Sequence, residues 1–91
     1  MGLTKRELAV VDDTNRDKYV VVIKESRLNL WTIELEFVDT RRMLNVETQR
    51  GQIKTWAKLS DAILFAQENC PHCRDAIVRI GSWSLSIQSR A

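Results

Sequence analysis

One histidine, one proline and three glycines in 91 residues leave little material for several common chemistries. The single His72 excludes a three-histidine metal centre within one chain. Gly2, Gly51 and Gly81 are widely spaced, so there is no glycine-rich loop to cradle phosphate. No GxSxG or HExxH string is present. No stretch approaches the roughly 18 consecutive apolar residues of a membrane span. The N-terminus lacks the apolar centre of a signal peptide. With only two cysteines, this predicts a cytoplasmic chain in which a structural disulfide is not expected.

Strong charge is also missing. The net charge is +2, whereas proteins that live on the nucleic-acid backbone are usually far more basic. The charge is uneven, however. Between Thr40 and Leu59, Arg41, Arg42, Arg50, Lys54 and Lys58 face Glu47 as the only acid. A run of this kind is either a solvated strand face with basic turns or a footprint for phosphate or an acidic partner.

The apolar fraction of 44% and the charged fraction of 29% are those of a soluble globular domain. Residues 1–18 read as a mobile polar arm. Thr4 and Glu7 have the spacing of a capping box, so one short helical turn is expected before Asp12-Asp13-Thr14-Asn15 breaks it. Residues 19–88 read as a single domain. Tyr19–Glu25 is rich in β-branched residues and apolar on both faces. In the next segment Trp31, Ile33, Leu35 and Phe37 alternate with Thr32, Glu34 and Glu36, which predicts a strand with one face on the core. Leu44, Val46 and Thr48 continue the alternation to a tight hairpin at Arg50-Gly51, with a return over Gln52–Trp56.

Leu59, Ala62, Ile63, Ala66 and Cys70 form an apolar stripe at helical spacing, with Ser60 as the expected N-cap and Pro71 as the stop. Further strands follow at Asp75–Ile80 and, after a bulge or turn at Gly81, at Trp83–Ile87. The expectation is an α+β domain of order β-β-β-β-α-β: an antiparallel meander of four to five strands with one main helix on one face. The apolar, weakly charged Trp83–Ile87 segment should pair with another chain or dock on its own sheet, and a homodimer is expected.

The motif Cys70-Pro71-His72-Cys73 invites three readings. It resembles the active-site string of thioredoxin-fold oxidoreductases. Their chemistry wants the first cysteine at a helix N-terminus, though, and here the motif follows a helix. That fold also needs a second, cis proline, and Pro71 is the only one. A zinc site built on Cys70, His72 and Cys73 would fall short of four ligands without Asp75 or a second subunit. The remaining reading is a helix-to-strand loop with Cys70 as a small buried apolar residue. No cofactor is expected.

Lys54-Thr55-Trp56-Ala57-Lys58 is similar to the lysine-rich opening of the last helix in double-stranded RNA-binding domains. The glycine, proline and histidine of that family's strand loop are absent. Trp56 lies out of phase with Ile53, which points to an exposed ring beside Lys54 and Lys58.

The stretch Leu44–Trp56, running into Leu59-Ser60-Asp61-Ala62, resembles small ParC-type partition-associated proteins of bacterial plasmids. That resemblance covers 44–66. It implies a non-enzymatic accessory protein of plasmid maintenance or partition, acting by protein or DNA contact alongside a ParA-like ATPase. It brings no catalytic residues. Candidate partner or nucleic-acid contacts are Arg41, Arg42, Arg50, Lys54, Trp56 and Lys58. A nucleic-acid-binding domain, and a thiol or zinc protein built on Cys70, His72 and Cys73, are the alternatives.

Overall fold

The computed structural model describes residues 2–26 and 29–87. Its elements are β1 (Gly2–Leu3), α1 (Lys5–Thr14), β2 (Tyr19–Glu25), β3 (Trp31–Phe37), β4 (Met43–Val46), α2 (Leu59–Asn69), β5 (Asp75–Ile80) and β6 (Trp83–Ile87). Gln88, the expected last residue of the domain, lies outside the described residues.

The α+β class holds, but the sheet is not an antiparallel meander. It has six strands in the order β1-β4-β3-β2-β5-β6. Only β2, β3 and β4 follow one another as a meander. α2 then carries the chain across the sheet, so that β5 lies parallel to β2, with Val21 opposite Ala76 and Ile23 opposite Val78. β6 turns back antiparallel to β5, and β1 adds parallel to β4. The physical reason is in β2. A strand apolar on both faces is stable in the middle of a sheet, and Val22, facing away from the helices, is as fully buried as Val21 and Ile23.

Residues 2–18 pack as part of the domain and not as an arm. Leu3 and Leu8 belong to the core cluster, and α1 runs ten residues rather than one turn. The capping box forms as its spacing predicts. Thr4 N–H donates to Glu7 Oε1 at 3.0 Å, and Glu7 N–H donates to Thr4 Oγ1 at 3.4 Å. The fully exposed Glu7 carboxyl sits below its ordinary pKa because the Thr4 backbone donates to it.

The return segment 52–56 forms only isolated bridges, with Ile53 opposite Glu47 and Trp56 opposite Trp31. It wedges into the fork between the start of β3 and the end of β4. α2 begins at Leu59 with Lys58 as an N-cap that makes no side-chain hydrogen bond, so Ser60 lies inside the first turn rather than capping it. The earlier start brings Leu59 onto the core beside Ile63, with Ala62 and Ala66 buried. α2 covers β3 and β2 and touches α1. Ile33 and Leu35 of β3 are buried in the same core cluster as this stripe.

Candidate functional site

α1 and the Cys70–Cys73 loop meet at one end of the sheet. Asp12 follows Leu8 by one helical turn, so α1 points its carboxylate inward, and the residue is 5% exposed. Asp12 Oδ1 accepts from the Tyr19 hydroxyl and from the His72 backbone N–H at 3.0 Å. Asp12 Oδ2 lies 2.8 Å from His72 Nδ1, which places the ring proton on that nitrogen against its acceptor. Two backbone bonds complete the tie: Asp17 N–H to the His72 carbonyl at 2.9 Å, and Arg74 N–H to the Tyr19 carbonyl at 2.8 Å. The loop after α2 is thus latched to residues 12–19.

The electrostatics of the latch follow from its bonds. Burial acts to raise the Asp12 pKa, but donation from Tyr19 and His72 outweighs it and holds the carboxyl below its ordinary value. Tyr19 is driven upward by burial and by the carboxylate it serves. Burial pushes the Cys70 thiol up to about 12, and burial followed by the Asp12 charge raises Cys73. Cys70 is the C-cap of α2, at the negative end of its dipole. Both cysteines are therefore thiols at neutral pH, the opposite of an activated nucleophile. The expected result of timed alkylation with iodoacetamide at neutral pH is that Cys70 resists modification in the folded protein and Cys73 reacts more slowly than a free thiol. Rapid loss of both would contradict the latch.

The basic residues do not converge. Phe37 N–H donates to the Arg42 carbonyl, so Arg41 and Arg42 lie beyond the far end of β3. Trp56 pairs with Trp31 at the other end of that strand, and the Arg50-Gly51 tip and Lys58 are on that side. Seven residues of β3, roughly 20 Å, separate the two groups. Gly51 has the φ of 81° that the hairpin tip requires.

Trp56 is not a free platform. Its ring lies 4.9 Å from that of Phe65, and Lys54 Nζ sits 5.5 Å from the Trp56 ring and 4.7 Å from the Phe65 ring. Lys54 therefore closes an aromatic pair by cation–π contact. The Lys54–Lys58 string precedes α2 rather than opening it, unlike the RNA-binding pattern it resembles.

The segment Trp83–Ile87, expected to pair with another chain or dock on its own sheet, docks on β5 and forms the β5–β6 end of the sheet. Ile80, Val78 and Ala76 stand opposite Trp83, Leu85 and Ile87, all on the face that carries the helices. α2 stops over β2 and β3, so Val78 is buried in the core while Trp83 and Leu85 stay uncovered. Trp83 is 72% exposed and Leu85 45%. At the other end of the hairpin, a groove of 640 Å³ opens between α2 and the Ala76–Ile87 pair, lined by Ile63, Ala66, Ala76 and Ile87 together with Gln67, Arg74 and Asp75. The alternation of Trp83, Leu85 and Ile87 was visible in the sequence. What could not be seen was where the helix layer ends.

No protein-family model, curated protein or solved structure matches this chain.

Proposed function

We propose that this chain is a non-enzymatic binding protein of plasmid maintenance or partition that acts by protein contact through the β5–β6 end of its sheet. The exposure of Trp83 and Leu85 side by side on one face of an uncharged strand carries this reading. The plasmid setting rests on the resemblance of 44–66 to ParC-type proteins, and the corresponding partner is a ParA-like ATPase. The protonated thiols and the inward-facing Asp12 support a non-enzymatic role for the cysteine motif.

Nucleic-acid contact is the second reading, favoured by the exposed Arg50 and Lys58 at one end of the sheet. With Arg41 and Arg42 a strand length away, a duplex would meet two or three of these cations at once. Its log–log salt slope should then be near −2 to −3.

The test is binding of a ParA-like ATPase from the same replicon, and of labelled duplexes, to wild type, Trp83→Ala and Arg50→Glu/Lys58→Glu. Lys54 is left in place because it packs on Trp56 and Phe65. Loss of the exposed Trp83 ring as an anchor is expected to weaken ATPase binding by about tenfold or more. The charge reversal should leave that binding nearly unchanged. Duplex binding that is abolished by the charge reversal, together with ATPase binding that ignores Trp83, would move the function to the basic end.

A further inference from the structure

The free edge of β6 has a defined hydrogen-bonding register. Ile80 pairs with Trp83 around a two-residue turn whose first residue is Gly81, with a φ of 56°. In a two-residue hairpin the flanking pair exchanges both its N–H and C=O bonds, and the pairs alternate from there. Trp83, Leu85 and Ile87 therefore spend their backbone groups on β5. Ser84 and Ser86 turn theirs outward.

An edge of this kind is usually blunted by charge, proline or brevity. The opposite edge of the sheet is blunted in this way, since β1 is two residues long. β6 has five residues and no charged or proline residue.

We infer that β6 pairs antiparallel with β6 of a second copy of this chain, about a two-fold axis at Leu85. This inference rests on the reading of the β5–β6 end as a protein-contact surface and adds a second copy of this chain along its strand edge, next to the face that carries Trp83. The register follows from the outward groups. Ser84 exchanges both bonds with Ser86 of the partner subunit, and Ser86 with Ser84 of the partner subunit. Leu85 then meets its own symmetry mate, and Trp83 of the partner subunit stands opposite Ile87. Ile87 lines the groove beside α2, so the partner's indole lies at the groove's mouth, and the arrangement is reciprocal. An aromatic opposite a β-branched residue is a favourable cross-strand pair. Self-pairing of a neutral strand brings no like charges together. The surface is thus complementary to itself, as an isologous interface must be.

The experiment is sedimentation velocity on the full chain over a wide concentration range, with wild type, Leu85→Lys, Ser86→Pro and Leu85→Cys. Wild type should sediment at twice the monomer mass. Leu85→Lys sets two cations against each other at the axis and should shift the species to monomer. Ser86→Pro removes an outward N–H that β5 does not use, so it should dissociate the dimer while keeping the fold. Circular dichroism melts check that both variants are folded. Leu85→Cys should cross-link into a covalent dimer with oxidised glutathione, because the axis brings the two positions together. A wild-type monomer at every concentration, or a dimer unmoved by both folded variants, overturns the inference. A monomer whose ATPase binding still depends on Trp83 overturns the dimer and leaves the protein-contact reading standing. A dimer of this geometry whose ATPase binding ignores Trp83 does the reverse.

Discussion

Ile33→Ala is expected to destabilise the protein by about 2–5 kcal/mol, combining the lost transfer energy of a buried side chain with the cavity left behind. Ile33 is fully buried on β3, opposite Ile23 of β2 and beneath α2. It shares one core cluster with the small Ala62 and Ala66 of the helix stripe, whose side chains cannot extend into the space left behind. Total stabilities run to about 5–15 kcal/mol, so a domain of this size would lose a large share. At about 4–8 °C per kcal/mol, the melting temperature should fall by about 10 °C or more. Glu36→Ala, on the opposite face of the same strand, is the control and should change little. An unchanged melting temperature for Ile33→Ala would mean that the helices lie on the other face.

Asp12→Ala should have an effect of similar size, about 2–5 kcal/mol, for a different reason. It leaves the fully buried Tyr19 hydroxyl, the His72 backbone N–H and the His72 ring without their shared acceptor. Tyr19→Phe removes a single donor and should cost about 1–2 kcal/mol. The double variant should cost less than the two single changes added together, because both act on one network. The pH dependence has a definite sign. Asp12 is held below its ordinary value of 3.8 in the folded state. Its contribution is therefore present in full above that value and is lost as pH falls through the lower folded value. Wild type should lose stability steeply in that acid range, and Asp12→Ala should show a shallower decline. Parallel acid profiles would remove Asp12 from the latch.

The two predictions differ in how far the sequence reveals them. Ile33 is legible because strict alternation over Trp31–Phe37 admits one strand face and one core face. The helix stripe is legible for the same kind of reason, at helical rather than strand spacing. Asp12 is not, because its partner His72 lies 60 residues away and sequence spacing gives no distance between them. The one local signal is that Asp12 follows Leu8 by four residues, which puts a carboxylate on the buried stripe of α1. The sheet order is also hidden. Ala76, Val78 and Ile80 alternate as an edge or an inner strand would, and it is the crossing of α2 that sets β5 beside β2. The two-sided apolar character of β2 was the available clue to a central strand.

The basic edge shows the converse case. Arg41, Arg42, Arg50, Lys54 and Lys58 are close in sequence, but a seven-residue strand sets the first two apart from the rest. Lys54 is then spent on Trp56 and Phe65. Proximity along the chain did not become proximity in space.

The most direct test of the proposed contact surface is amide hydrogen exchange at Ser84 and Ser86. These are exposed residues whose N–H groups point away from β5, so an unoccupied edge leaves them exchanging as fast as loop amides. The account predicts that both are protected, and that their protection rises with protein concentration, while loop amides such as that of Asp39 do not change. Exchange at the free-amide rate for both residues at every concentration would contradict it.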